Sequence, residues 1–285
     1  MIYKWRLILD PAHPGPYNMA IDEALAASAR ENGTSTLRLY SFEPACITVG
    51  RFQPLDGFID MTACRSAGVE LTRRPTGGLA ILHKDDFTYS FTCPVEGDST
   101  ALRNECFSMV ARGIVESLER LGIRAEVTSH KDRCAGPGWC FEREFGVDVE
   151  WNARKICGSA QRISAGALLQ HGSLFLNEMS GLWATLSGYH EEERPGGLPA
   201  TVTEACGRTV GWDELAAVFR EGFECANDVS FEQGDLSALE KNNAIEFLRS
   251  RYGSEAWVRG NSSRGVCDII GRNDSAGDNH GGQGR

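Results

Sequence analysis

The feature that most restricts what this chain can fold into is that strand and helix periodicities are both strong in it yet do not alternate regularly. DFTYSFTC at 86–93 puts Phe87, Tyr89 and Phe91 on one face, the pattern of a half-buried strand. Residues 100–121 carry Leu102, Cys106, Val110, Ile114, Leu118 and Leu121 at helical spacing, with Gly122 as the expected C-cap. A helix is also expected over 18–30, where Ile21, Ala24, Leu25 and Ser28 share a face, and further helices near 211–226 and 235–252. Strands are expected at the start of the chain and in TLRLYSF, ACITVGRF, VELTRR, LAILH, VDVEW, RKICGSA and ALLQHGSLFL. Without regular strand–helix alternation, the fold class is α+β rather than a doubly wound sheet. The polar, Gly- and Pro-rich stretch 187–199 reads as a loop, and 271–285 as a disordered tail. The expected organisation is one domain over 1–270, with a small helical portion from about residue 200.

Charge and cysteine usage narrow the setting. With 29 basic and 39 acidic residues the net charge is −10, which argues against non-specific nucleic-acid binding. No apolar run approaches the roughly 20 residues of a membrane span, and the first residues lack the apolar core of a secretory signal. Ten scattered cysteines then read as reduced thiols in a cytoplasmic protein.

Four segments hold residues suited to chemistry. RRPTGG at 73–78 joins Arg74 to the paired Gly77 and Gly78, which permit either close backbone approach to a ligand or a tight turn. It matches neither phosphate-loop pattern. His83, at the far end of the next strand, reads by itself as structural. RKICGSAQR at 154–162 sets Lys155 ahead of the small residues Gly158, Ser159 and Ala160, so that a cation can meet a carbonyl or phosphate oxygen; a surface lysine is the plain alternative. QHGSL at 170–174 interrupts an apolar strand with His171, which then needs a partner or solvent. Cys140 lies in a Gly- and Pro-containing loop and is the best-placed nucleophile, whereas Cys157 falls within a strand and reads as packing. His130, Cys134 and Cys140 do not have the spacing of common metal ligands, and no metal site is expected.

Taken together, YNMAIDEAL, ITVGRFQ, RRPTGGLAILHKDDFTYSF and RKICGSAQRISAGALLQHGSLFL resemble the lipoate/biotin protein ligase superfamily in content, order and spacing. Within it the chain is most similar to the cysteine-dependent octanoyltransferase family LipM, whose Cys-Phe motif precedes the lysine-containing block, as Cys140-Phe141 precedes Lys155 here. One departure is Leu79, where that family commonly has a small or basic residue. The resemblance implies a biotin/lipoate protein ligase catalytic-domain fold, with mixed β-sheets flanked by helices. It implies Cys140 as acyl acceptor and Lys155 as the residue that orients or polarises the acyl carbonyl. Arg74, Gly77, Gly78 and His83 would belong to the acyl-binding block, and Gly158 and His171 to later pocket-forming blocks. Octanoyl-acyl carrier protein would be the donor and a lysine of a lipoyl domain, typically the glycine-cleavage H protein, the acceptor. A monomer without cofactor is expected. An acidic carrier would have to dock on a local positive surface of this acidic chain. An ATP-dependent lipoate or octanoate ligase, an amidotransferase between lipoyl domains, and a non-catalytic lipoyl-domain-binding protein remain open alternatives.

Overall fold

The computed structural model describes residues 3–55, 57–130, 138–140, 146–187 and 198–260. The element order is β1 (Tyr3–Leu9), α1 (Gly15–Asn32), β2 (Thr36–Tyr40), β3 (Cys46–Val49), α2 (Met61–Ser66), β4 (Glu70–Arg73), β5 (Ile81–His83) and β6 (Asp86–Pro94). It continues with α3 (Ser99–Arg120), β7 (Glu126–His130), β8 (Gly146–Trp151), β9 (Arg154–Ser164), β10 (Ala167–Phe175), α4 (Ser180–Leu186) and α5 (Val202–Cys206). The last elements are α6 (Trp212–Asn227), β11 (Val229–Gln233), α7 (Ala238–Phe247), a π-helical turn at Leu248–Tyr252, and α8 (Glu255–Arg259).

Eight strands form one mixed sheet in the order β11-β1-β2-β6-β10-β9-β8-β7, and β4-β3-β5 form a small second sheet. Only the β11-β1-β2 edge of the large sheet is parallel. This is the α+β class expected from the sequence, with helices on both faces. Phe87, Tyr89 and Phe91 of β6 join Leu37 and Leu39 of β2 beneath the apolar stripes of α3 and α6. α1 crosses the opposite face of β6 and β10.

The aromatic strand departs from its expected half-burial. β6 is covered on both faces, and Thr88, Ser90 and Thr92 are as buried as the aromatics. Alternation in the sequence separates an apolar face from a hydroxyl face, but both can lie inside when the second carries a polar site. Gly122, expected at the C-cap of α3, sits one residue past the cap residue Leu121 and has φ +80°, the left-handed conformation that closes such helices. The 271–285 tail and most of the 187–199 loop lie outside the described residues.

The small sheet carries its own core of Ile47, Val49, Phe58, Trp139 and Trp183. It stands against the polar face of the large sheet, and the space between them is a cleft. The RRPTGG turn closes one side of that cleft. Arg74 fastens the turn by donating to the carbonyls of Thr48 (3.0 Å), Gly77 (2.8 Å) and Leu79 (2.7 Å).

Candidate active site

Cys140 is placed by its neighbour. Trp139 is fully buried against Phe58 and Trp183, and it bridges to Ala80 at the entry to β5. The Cys140 amide then donates to the Ala80 carbonyl at 2.8 Å, while Gln53 holds the Gly138 carbonyl at 2.7 Å. These bonds fix the backbone on either side of Trp139 and turn the thiol into the cleft. Its sulfur lies 3.4 Å from where a Cβ on Gly158 would stand, so the absence of a side chain there leaves the sulfur an open approach.

Lys155 reaches the same wall through a break in strand regularity. In an uninterrupted strand, Lys155 and Cys157 would share a face. The β8–β9 register instead pairs Val149 with Cys157 and Glu150 with Lys155, which leaves Ile156 as the extra residue of a bulge. Cys157 consequently packs into the core beside Val149 and Leu174, while Lys155 turns to the cleft side with Asp148 and Glu150. Its ammonium meets Asp148 Oδ2 at 2.8 Å and donates to the Cys140 carbonyl at 3.0 Å. Burial works against this charge, but the facing Cys140 sulfur and Asp148 outweigh it and hold the Lys155 pKa above its ordinary value. The site thus favours the ammonium form of Lys155. Burial drives the Cys157 thiol far above its usual range, which disfavours its thiolate.

Two buried histidines complete the floor. His171 on β10 bonds Asp22 of α1 through Nδ1 (3.0 Å) and Thr76 of the RRPTGG turn through Nε2 (2.6 Å). Asp22 also binds Arg38 (2.9 Å) and Tyr40 (3.0 Å), and all three are fully buried. Burial depresses the His171 pKa despite Asp22, whereas His171 and Arg38 overcome the burial of Asp22 and lower its pKa. A neutral imidazole facing a carboxylate must donate from Nδ1, so Nε2 accepts from the Thr76 hydroxyl. His83 repeats the arrangement, with Nδ1 to Asp86 at 2.6 Å and Nε2 facing Thr48 Oγ1 at 2.9 Å. Phe42 stacks on its ring at 3.9 Å.

Arg74, Gly78, His83, Cys140, Gly158 and His171 thus all border one cleft of about 430 Å³. Lys155 stands behind Gly158, its chain 3.6 Å from the same Cβ position. Gly77 lies in the adjoining turn, where its carbonyl receives Arg74. The residues that sequence reading missed are the partners: Asp22, Arg38, Thr48, Thr76, Asp86 and Asp148. Asp22 alone had a visible signal, a carboxylate set among Ile21, Ala24 and Leu25 on the apolar stripe of α1. Of the residues weighed as metal ligands, Cys134 lies outside the described residues.

Known proteins match this chain over most of its length. Residues 14–224 match the family described as lipoyl protein ligase A/B catalytic domain. An octanoyltransferase LipM of Symbiobacterium thermophilum is 34% identical over 274 residues, covering 89% of this chain and 97% of the relative. The octanoyltransferase LipM of Moorella thermoacetica is 35% identical over 272 residues, covering 90% and 97%. Among solved structures, a lipoate-protein ligase A bound with ATP superposes with a TM-score of 0.75 at 25% identity, covering 90% of this chain and 99% of that one. A bi-partite lipoate protein ligase of Thermoplasma acidophilum shares the fold with a TM-score of 0.74 at 23% identity, covering 93% and 99%. By the family match over residues 14–224 and the identity to these relatives along nearly their whole length, the chain belongs to the lipoyl protein ligase A/B catalytic domain family and, within it, to the LipM octanoyltransferases.

Proposed function

We propose that the chain moves an octanoyl group from octanoyl-acyl carrier protein to a lysine of a lipoyl domain, with the glycine-cleavage H protein as acceptor, through a thioester on Cys140. The observation that supports this reading is the shared wall: the Cys140 sulfur opens onto Gly158, and the Lys155 cation is fixed beside it.

In the first half-reaction the Cys140 thiolate attacks the donor's acyl carbon. A new C–S bond forms and the carbonyl oxygen gains charge; the carrier's C–S bond then breaks, and the departing thiolate takes up a proton equivalent to the one Cys140 lost on ionising. One thioester replaces another, so no ATP is consumed. In the second half-reaction the neutral amine of the acceptor lysine attacks the same carbon. A C–N bond forms, the Cys140 C–S bond breaks, and the surplus amine proton is lost. Free lysine is mostly ammonium near neutrality, so the acceptor must be deprotonated on docking. Lys155, held as a cation, suits the oxyanion rather than nucleophilic attack, a role that contributes about 3–4 kcal/mol where measured. Met19, Phe42 and Ile81 give the cleft an apolar lining. Each methylene of the acyl chain buried there gains about 0.8 kcal/mol.

Intact-mass measurement after incubation with octanoyl-acyl carrier protein, without ATP, tests this directly. Wild type is expected to carry one octanoyl group, mapped to Cys140. Cys140→Ala and Cys140→Ser are expected to fold normally and lose transfer to the lipoyl domain by about 10³-fold or more. Undiminished transfer by both variants, or an adduct on Cys157, rejects the assignment. Activity confined to free octanoate with ATP and magnesium moves the chain to the ligases.

A further inference from the structure

Three arginines converge beside the His171 end of the cleft. Arg51 follows β3, Arg162 lies on β9, and Arg251 lies on the π-helical turn. Arg51 and Arg251 both lie over Trp257, at 5.3 and 5.1 Å from its ring. One carboxylate, Glu23, serves two of them: it is bonded by Arg251 and stands 3.8 Å from Arg162. Among the described groups this leaves two surplus positive charges on a chain whose net charge is −10. Burial and the neighbouring charges of Arg162 and Arg251 depress the Arg51 pKa, which is the mark of like charges held together. Among the described residues its Nη1 has no hydrogen-bond partner, so the guanidinium is not fully satisfied within the fold. Beside it Phe52 is 74% exposed.

Glu23, Arg51 and Arg162 are each tied to a residue that pairs with His171. Glu23 follows Asp22, which bonds His171 Nδ1. Arg51 donates its amide to the carbonyl of Thr76, whose hydroxyl bonds His171 Nε2. Arg162 is two positions beyond Ala160, the cross-strand partner of His171. Gly158, Ala160 and Arg162 share one face of β9, so the Arg162 backbone stands about 13 Å along the strand from the glycine that faces the Cys140 sulfur.

The geometry points to Arg51 and Arg162, with Arg251 behind them, as the site that binds the phosphate of the donor's phosphopantetheine arm. This rests on the acyl-transfer reading above and adds where the donor is held. A carrier's prosthetic group has a phosphate at one end and the acyl thioester at the other, joined by an extended chain long enough to bridge this separation. Guanidiniums suit the phosphate because their planar donors match its oxygens. The exposed Phe52 ring offers an apolar contact for the chain or the carrier surface.

The test compares octanoyl-phosphopantetheine with octanoyl-pantetheine, which lacks only the phosphate. Wild type is expected to form acyl-enzyme from the phosphorylated donor with about tenfold or greater advantage in kcat/KM, an advantage that falls as salt is raised. Arg51→Gln and Arg162→Gln are each expected to remove most of that advantage, while acylation by octanoyl-pantetheine changes by less than about twofold. Equal use of the two donors by wild type, or equal losses with both donors in folded variants, overturns the proposal. Calorimetric binding of free phosphopantetheine to wild type and Arg51→Gln decides the matter independently of any chemistry at Cys140. Weaker binding by the variant supports the site even if acyl transfer is found to use another residue. Unchanged binding, or competition for the same arginines by ATP but not by phosphopantetheine, rejects it.

Discussion

Gly50 and Gly77 sit on either side of one contact yet bear different constraints. A Cβ on Gly50 would lie 1.9 Å from the Gly78 carbonyl oxygen, so β3 and the RRPTGG turn meet backbone to backbone. Gly78 has φ +92°, which a side chain resists, whereas Gly77 has open space within 4 Å of its Cβ position and no positive φ. Gly50→Ala is therefore expected to cost about 3 kcal/mol or more in a denaturant titration, and Gly77→Ala under about 1 kcal/mol. A Gly50→Ala protein as stable as wild type would refute the close-contact account. Should Gly77→Ala stay folded but lose activity, ligand approach is the reason for that glycine. The paired glycines were visible in RRPTGG. Gly50 was not singled out, because its constraint comes from a segment distant in the chain.

Elements decide which side chains face the cleft. The bulge at Ile156 sends Lys155 and Cys157 to opposite sides of the sheet, a result that no reading of RKICGSA alone supplies, since it depends on the register with β8. Two-residue turns with positive φ bracket β9: Asn152 and Ala153 lead in, and Ala165 and Gly166 lead out to β10. At the far edge, α7 is anchored by a capping box between Ser237 and Glu240, and Glu240 also binds Arg6 of β1 at 2.6 Å. Burial alone would raise Glu240, but Arg6 and the Ser237 amide override it and hold its pKa at about 2 against an ordinary 4.5. A depressed carboxylate stabilises the fold fully above its unfolded value and loses that contribution as pH falls through the folded one. Glu240→Gln is thus expected to cost about 2 kcal/mol at neutral pH. The gap to wild type should begin to close below pH 4.5 and vanish near about 2. A gap independent of pH, measured by denaturant midpoints across that window, would contradict the pairing.

The whole molecule is closed by its C-terminal third. β11 adds to the sheet beside β1, and α6 lies on α3. α7 and the π-helical turn cover α1, contributing Ala244 and Tyr252 to the core that holds Ile8, Met19 and Tyr40. Arg73 donates to the carbonyls of Trp257 and Val258, and the Trp257 ring N–H donates in return to the Arg73 carbonyl at 2.8 Å. A chain ending at residue 234 would uncover that apolar surface and release Arg73. Relative to a chain ending at 260, it is expected to melt about 10 °C or more lower, or to lose its cooperative transition. Equal melting temperatures would show that 235–260 are dispensable to the fold. Among the described residues, no helix is long and apolar enough to cross a membrane.

Residue order alone determined the mixed α+β character and the positions of the long helices and most strands, because periodicity and turn chemistry are local properties; the blocks that supply Arg74, Gly78, His83, Gly158 and His171 were legible through their family resemblance. It was silent on the short helices α2, α4, α5 and α8 and on the edge strands β7 and β11, whose few residues gain their order from packing. Tertiary structure decided the rest: the burial of β6 on both faces, the turning of Lys155 toward Cys140, and the assembly of Asp22, Thr76 and His171 from three separated segments. Those outcomes depend on which strands become neighbours and in what register, and that is set by long-range pairing and burial in the folded chain.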